Sequence, residues 1–323
     1  MRKTIVELLK KSGDNFVSGE NIAGDLGISR TAVWKHIQKL RESGYHILSR
    51  ERCGYKLKDA PDLLLPSEIQ IELNTEIIGK QMEYFPSVDS TNRVAKKLAY
   101  HGAADGTIVV AEEQTGGKGR LERNFYSPRG KGIWFSIILR PNFLPHDAPK
   151  CTLMAAVAVA QAMNRFNLKP EIKWPNDIMF DGRKLVGILT EITAEIGKIT
   201  YIVVGLGINV NISREEFPEE IRNVATSLSE MNGGEISRVK FFRAVLEEFD
   251  KLYCKVNAAG FAEVFTLWKK YNITLGKNVR VISAGDGGES FIGKAIDLDS
   301  EGALQVETAS GLRTVYAGDV SIR

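Results

Sequence analysis

The chain has 323 residues, 43% of them hydrophobic and 26% charged, with a formal net charge of +3. That length exceeds what one core usually serves and predicts two or three domains of ordinary globular composition. Residues 1–11 are too charged for a secretory leader and the longest apolar run, 153–160, is far short of the ~20 residues that cross a bilayer, so a cytoplasmic protein without membrane contact is expected.

The basic charge comes first. Residues 1–60 hold 12 Lys+Arg against 7 Asp+Glu, leaving 31 against 33 for the remainder. A positive balance on a small unit points to a polyanion partner, with a solvated charged face as the alternative. Ile5, Val6, Leu8 and Leu9 have helical spacing, Ser18 to Leu26 forms a second helix, Gly27 breaks it, and Ser29 can cap a third running through Leu40 to a stop at Gly44. In that third helix Val33, Ile37 and Leu40 make one apolar stripe, which leaves Arg30, Thr31, Trp34, Lys35 and Gln38 mostly on the other side, residues of the types that read phosphates and base edges. Tyr45 to Leu48 and Gly54 to Leu57 then flank Arg50, Glu51 and Arg52 as a hairpin with a basic tip. Short turn, cap and basic hairpin together favour DNA binding over a mere three-helix packing module.

Ala60-Pro61-Asp62 to Pro66 is a proline-bounded connection. Met82 to Phe85 reads as a strand, and Asp89-Ser90-Thr91-Asn92 as capping residues opening a helix to Tyr100, a helix start that also suits a polar ligand head. The strand Thr107 to Glu112 runs into a segment from Gln114 to Phe125 in which Gly116, Gly117 and Gly119 alternate with Lys118, Arg120 and Arg123. Such a segment cannot pack as core, suits a mobile loop closing over phosphate or carboxylate, and lacks the spacing of a Walker loop. Gly132 to Leu139 reads as a strand and Cys151 to Phe166 as an apolar helix.

Residues 171–191 read as two apolar strands joined by a tight turn at Asp181-Gly182. Strict alternation places Lys184 on the face of Val186, Ile188 and Thr190, either at a frayed end or aimed at an anion. Beside it, Lys173-Trp174-Pro175-Asn176-Asp177 sets a cation, an aromatic, an amide and a carboxylate around a proline that cannot donate to a ladder. Ile199 to Val210 gives a further strand carrying Gly205 and Gly207; Val210 stands where a dinucleotide fingerprint requires a third glycine, which disfavours a Rossmann site. Val239 to Val256 and Ala262 to Tyr271 read as amphipathic helices, and after Lys277 short strands punctuated by Gly285 to Gly288, Ser300-Glu301-Gly302 and Ser310-Gly311 suggest a small antiparallel barrel. Cys53, Cys151 and Cys254 are odd in number and widely spaced, which argues against a disulfide framework or a structural zinc site.

The run Lys173 to Asp177 followed by Lys184-Leu185-Val186-Gly187-Ile188-Leu189 closely resembles the signature of biotin protein ligases, and with the amino-terminal module the whole chain resembles the bifunctional members that also repress the biotin operon. The resemblance implies an α+β protein: a winged helix-turn-helix at 1–64, a mixed sheet with helices at 65–273, and an SH3-like β-barrel at 274–323. It implies that biotin's carboxylate attacks the α-phosphate of ATP, and that a carrier-protein lysine then attacks the biotinyl-AMP, with Mg²⁺ beside the phosphates. Biotin would meet Ser90, Thr91, Asn92, Gln114, Gly117, Lys118, Arg120, Lys184 and Gly187. ATP and adenylate would meet Lys118, Arg120, Arg123, Phe125, Asn176, Lys184, Gly207 and Asn209. Catalysis would fall to Lys184, Arg120 and Asp177, with Asp177 also a metal contact. Ser29, Arg30, Thr31, Trp34, Lys35, Gln38, Arg50 and Arg52 would meet operator DNA, and a homodimer is implied because one winged helix reads one half-site. The sequence departs from the family at Lys118, usually arginine, which loses the bidentate fork, at Phe125, usually tryptophan, and at Cys53, usually basic. The weaker match Asn223 to Leu228 resembles the adenine-side loop. A lipoate-type ligase, a non-catalytic repressor sensing a small acid, and a ligase whose amino-terminal module no longer binds DNA are the alternatives.

Overall fold

A computed structural model describes residues 1–195, 197–283 and 290–322, and the glycines expected to turn the chain at 285–288 lie outside those residues. The chain divides into two compact units, Met1–Glu72 and Leu73–Arg323.

In the first unit, helices α1 (Arg2–Lys11), α2 (Gly19–Leu26) and α3 (Arg30–Glu42) precede a hairpin of β1 (His46–Arg50) and β2 (Gly54–Asp59). The helix ends carry their own signals. Ser18 and Ser29 accept from the backbone of Asn21 and Ala32, and Gly27 takes the left-handed conformation that stops α2. The stripe Val33, Ile37 and Leu40 is buried against Ile5, Val6, Leu9 and Ile22. At Gly54, with φ +105, an added Cβ would lie 2.0 Å from Val17 O, so a glycine there lets Tyr55 exchange two 2.8 Å hydrogen bonds with Val17. The proline-bounded connection contains a short helix, α4 (Pro66–Ile69), which the sequence did not betray. Its Glu68, 3% exposed, accepts from Tyr45 Oη at 2.7 Å and pairs with Lys10 Nζ at 2.7 Å.

The second unit is built on seven strands: β3 (Met82–Phe85), β4 (Ile108–Ala111), β5 (Gly132–Leu139), β6 (Glu171–Lys173), β7 (Asp177–Phe180), β8 (Arg183–Glu195) and β9 (Lys198–Asn209). Their order is β3-β4-β5-β9-β8-β7-β6, parallel between β3 and β4 and antiparallel elsewhere. One face carries α5 (Thr91–Tyr100), whose Ala95 and Ala99 pack on Val109, Ile138 and Val203. The opposite face is covered by α6 (Lys150–Arg165), whose Thr152 meets Thr190 at 2.8 Å, while Phe242 makes an edge contact with Phe135 at 4.7 Å between centroids. The short α7 (Leu228–Asn232), the long α8 (Arg238–Ala259) that carries Phe242, and α9 (Ala262–Tyr271) complete the helices. Among the described residues no helix is long and apolar enough to cross a membrane. Cys53, Cys151 and Cys254 are free thiols.

Two expectations about residues 171–191 are corrected. The first strand is really two, β6 and β7, paired antiparallel with Lys173 opposite Asp177, because Pro175 cannot donate to a ladder and the chain reverses around it. The turn at Asp181-Gly182 is as expected, both residues having positive φ (+50 and +69). The second correction concerns Lys184. Ile178 pairs with Val186 but Met179 pairs with Lys184, which leaves Leu185 as an extra residue in β8. This bulge buries Leu185 and Val186 consecutively and breaks the alternation. Lys184 therefore shares a face with Gly187, where an added Cβ would lie 3.3 Å from Lys184 Nζ, and not with Val186, Ile188 and Thr190.

The carboxyl-terminal strands β10 (Asn278–Ser283), β11 (Ser290–Leu298), β12 (Leu304–Thr308), β13 (Gly311–Val315) and β14 (Gly318–Ile322) form an antiparallel sheet in the order β13-β12-β11-β10-β14 around Val279, Val281, Ala295, Val306 and Val320. It touches two connections of the larger sheet, the turn between β6 and β7 and the segment between β4 and β5. Trp174 Nε1 donates to Gly302 O at 3.1 Å, and Arg123 pairs with Asp319.

Candidate active site

On the α5 face of the large sheet lies a cavity of about 300 Å³. It collects Ser90, Thr91, Asn92, Gln114, Lys118, Arg120, Arg123, Phe125, Asn176, Asp177, Lys184, Gly187, Gly207 and Asn209. Gly117 does not line it but backs it, since a Cβ there would come within 3.2 Å of Gln114 Nε2 and 2.6 Å of Phe125 O.

One end is polar and uncharged. Ser90 caps α5 by position, yet its side chain makes no cap hydrogen bond and the residue lines the cavity. Thr91 N donates to Gln114 Oε1 at 2.9 Å, and Thr91 Oγ1 lies 3.0 Å from the same oxygen. Asn92, 7% exposed, accepts from Ser136 Oγ at 2.6 Å and donates to Glu191 Oε2 at 2.8 Å. It lies flat on β9 because Gly205 has no side chain: a Cβ there would be 2.0 Å from Asn92 Oδ1. Ser136, Ser127 and Glu191 went unread as site residues; the available signal was a lone serine inside the apolar strand Gly132–Leu139.

The middle is cationic. Lys184 Nζ is 2.6 Å from Asp177 Oδ1, while that buried oxygen receives no aligned hydrogen bond. The contact is therefore a charge attraction without a locked geometry, and the ammonium keeps donors for another anion. Asn176 is spoken for at both ends of its amide, donating to Ile188 O at 2.8 Å and accepting from Arg120 Nη1 at 3.3 Å. Burial pulls the Arg120 guanidinium below the usual arginine range, opposed by the charges of Asp319 and Asp177. A cation held in that condition gains from an arriving anion.

The segment 117–125 folds as a tight hairpin. Gly119 N donates to Arg123 O at 2.7 Å and Phe125 N to Gly117 O at 2.9 Å, with Leu121 and Glu122 at positive φ in the turn. Lys118 is exposed and within 3.5 Å of Glu122, and Arg123 is held by Asp319, a contact from a strand remote in sequence. The far end is aromatic. Phe125 meets Trp134 edge-on at 5.9 Å and lies over Gly187 and Gly207, where a Cβ would come within 2.8 and 2.4 Å of its ring. Beside it, residues 224–226 run along Lys184 through Lys184 N to Val224 O (2.7 Å) and Thr226 N to Lys184 O (2.9 Å), and Asn209 Nδ2 fixes the same stretch by donating to Thr226 O at 2.9 Å. No group of three or more His, Cys, Asp or Glu residues suited to a metal ion occurs among the described residues. Asp177 and Asp319 are the carboxylates lining the cavity. A metal there would be held largely by a ligand's phosphates, as suits Mg²⁺.

The first unit presents a separate surface. Arg30, Thr31, Trp34, Arg50 and Arg52 line one groove between α3 and the hairpin, and Lys35 is exposed beside them. Ser29 is exposed and used as the cap of α3. With its carboxamide oxygen facing donors, Gln38 accepts from Trp34 Nε1 at 3.1 Å and Arg41 Nη1 at 3.2 Å, so the two expected readers brace one another.

Residues 84–209 match the model of the biotin/lipoate A/B protein ligase family, residues 2–56 an HTH domain, and residues 274–323 the biotin protein ligase C terminal domain. The chain is 41% identical to the bifunctional ligase/repressor BirA of Bacillus subtilis, over 100% of this chain and 98% of that protein. It is 30% identical to the protein of the same name from Escherichia coli, over 95% and 93% of the two chains. A solved biotin protein ligase from Aquifex aeolicus in complex with biotin and ATP superposes with TM-score 0.65 at 30% identity, covering 76% of this chain and 99% of that one.

Proposed function

The chain belongs to the biotin/lipoate A/B protein ligase family as a bifunctional biotin ligase and repressor, and on that premise we propose that the cavity beside Lys184 is where biotin and ATP react. It activates biotin with ATP and transfers it to a lysine of a biotin carboxyl carrier protein. Neither the lipoate-type ligase nor the non-catalytic sensor fits a chain matched along its whole length by ligase/repressors.

The order of chemistries along the cavity carries the assignment. A neutral hydrogen-bonding end at Ser90, Thr91 and Gln114 takes the ureido ring, Leu189 passes the aliphatic chain beside the backbones of Gly187 and Gly207 on which Phe125 rests, Lys184 and Arg120 receive carboxylate and α-phosphate, and Phe125, backed edge-on by the buried Trp134, offers a face to adenine. The reaction brings two anions together, which water opposes and fixed cations in a partly enclosed site favour. Lys184 neutralises the attacking carboxylate and the phosphate it meets; Arg120 and Lys118 close over the adenylate; Arg123, leaving Asp319, supports the departing pyrophosphate. Mg²⁺ carried by ATP would supply further charge neutralisation, and Asp177 is the residue that would offer it a carboxylate oxygen, with the Asn176 amide oxygen joining only if it released Arg120. In the second half-reaction Asp177 orients the carrier lysine and takes its proton as the amine attacks the acyl carbon and AMP leaves. No covalent enzyme intermediate is required.

We divide the chain into a DNA-reading module at 1–64, a catalytic module at 65–273 and a carboxyl-terminal module at 274–323, acting in the cytoplasm where ATP and carrier protein meet. Arg30, Thr31, Trp34, Lys35, Arg50 and Arg52 face operator DNA, with Ser29 and Gln38 supporting them. A homodimer places two such modules on two half-sites, and adenylate, by drawing the 117–125 hairpin and residues 224–226 together, favours the dimer. Transfer of labelled biotin to a carrier domain with ATP and Mg²⁺ tests the ligase site, and operator affinity with and without biotinyl-AMP tests the coupling. No transfer would refute the first; unchanged affinity and association would refute the second.

A further inference from the structure

We propose that Trp34 and Gln38 of α3 together read one thymine in each half-site, Trp34 meeting its C5 methyl group and Gln38 donating to its O4. The inference rests on the reading that α3 faces operator DNA, and adds which base edge it selects. A brace with fixed hydrogen-bond directions carries it. In the last turn of α3, Arg41 Nε and Nη2 donate to Ile47 O of β1 at 3.0 and 2.7 Å, which ties the recognition helix to the hairpin. Arg41 Nη1 then lies 3.2 Å from the Gln38 carboxamide oxygen, and Trp34 Nε1 lies 3.1 Å from the same atom. A guanidinium and an indole N–H only donate, so neither neighbour could accept from Gln38, and the amide must turn its oxygen to both. The two lone pairs of that oxygen are thereby used.

Both residues are changed as readers by this arrangement. A free carboxamide takes adenine through a donor and an acceptor together; Gln38 has spent its acceptor, and what remains of the amide is NH₂, a donor only. Trp34 has spent its one polar atom and offers carbon alone. It is nevertheless 52% exposed, in the groove it shares with Arg30, Thr31, Arg50 and Arg52. A donor beside an apolar ring matches one base edge in the major groove. Thymine sets an acceptor, O4, next to a methyl group, whereas guanine shows two acceptors, adenine an acceptor and a donor, and cytosine a donor. The arginines around the pair supply attraction to phosphate that is blind to sequence, which leaves the selection to Trp34 and Gln38.

The test uses the full chain with biotinyl-AMP and a duplex that it selects from a randomised pool. Each thymine of that duplex is replaced in turn by deoxyuridine, which removes the methyl group and keeps O4. At one thymine per half-site wild-type affinity should fall about 3- to 10-fold, the effect of withdrawing one methyl from an apolar contact. Trp34→Ala should bind thymine and uracil there within about twofold of each other, because the methyl then meets no ring. Gln38→Glu reverses the donor while keeping the brace, since a carboxylate accepts from both Trp34 and Arg41. A 5-methylcytosine·guanine pair at that position sets an N4–H₂ donor beside the same methyl group. The wild type should prefer thymine and Gln38→Glu should prefer 5-methylcytosine, each by at least about fivefold, the cost of facing donor with donor or acceptor with acceptor. Ratios at one salt concentration cancel the general loss caused by the added negative charge. No thymine sensitive to methyl removal, a Trp34→Ala chain that still prefers thymine to uracil, or a Gln38→Glu chain that keeps the wild-type order would overturn the proposal. A pool from which the wild type enriches no sequence would instead overturn the placing of operator DNA on α3.

Discussion

Lys184→Met tests the centre of the mechanism and separates chemistry from folding. The side chain is 36% exposed and its partner Asp177 21%, so their pair is worth about 0–1 kcal/mol to stability after solvent screening. The backbone around it is held independently, by Lys184 N to Val224 O at 2.7 Å and Thr226 N to Lys184 O at 2.9 Å. The thermal midpoint should therefore move little. The chemical effect is larger. A unit charge about 4 Å from an anion at an effective dielectric near 20 is worth about 4 kcal/mol, or roughly 10³-fold, and Arg120 and Lys118 share part of that work. Loss of one such preorganised cation should lower biotin-dependent pyrophosphate release by about 10²- to 10³-fold, appearing in kcat more than in KM. The measurement is pyrophosphate release at saturating biotin and ATP, with thermal unfolding in parallel. Release within about tenfold of wild type would show that the anions are clamped elsewhere; an equal loss of folded protein would show that the bulge at Leu185 depends on the lysine.

Gly205→Ala puts a Cβ 2.0 Å from Asn92 Oδ1 and must displace that amide from Ser136 and Glu191; two buried hydrogen bonds at about 1–2 kcal/mol each predict a biotin KM raised about 30- to 1000-fold, and a KM within twofold of wild type would contradict the packing. Glu68→Gln removes the charge that Lys10 and Tyr45 share at 3% exposure, and calorimetry should show the first unit destabilised by about 1–3 kcal/mol with biotin transfer by the second unit intact. Lys35→Ala should weaken operator and random DNA alike and lower the salt slope of binding by about 1, whereas a loss confined to operator would make Lys35 a base reader.

Much of the site was legible because its parts are written locally. The caps at Ser18 and Ser29, the stop at Gly27 and the Asp181-Gly182 turn are each set by one or two residues whose backbone preferences are strong, and all formed where expected. Lys184, Asp177, Arg120 and Thr91 could be nominated from dense motifs. What escaped depends on pairing. Alternation put Lys184 on the wrong face because the bulge at Leu185 is chosen by the register with β7 and by the burial of two consecutive apolar side chains, neither of which a single strand reveals. Pro175 announced a break in a ladder but not that β6 and β7 would fold back on each other. Glu191 and Ser136 read as ordinary strand residues until α5 brought Asn92 between them, and Asp319 is about two hundred residues from the arginine it holds.

The carboxyl-terminal sheet is less an appendage than a support for both walls of the cavity. The turn between β6 and β7, which aims Asp177, hangs from it through Trp174 N to Thr274 Oγ1 at 3.0 Å and Trp174 Nε1 to Gly302 O at 3.1 Å. The glycine-arginine hairpin leans on it through Arg123 and Asp319, whose charge also bears on Arg120. The two supports differ in kind. The tryptophan bonds are neutral and one is buried, so they fix a position; the arginine pair is exposed on the Arg123 side and screened by water, so it leaves that cation able to exchange partners. One sheet thus ties one wall by neutral bonds and the other by an ion pair that can exchange partners, a difference that the proposed adenylate site would use in releasing its hairpin without disturbing Asp177.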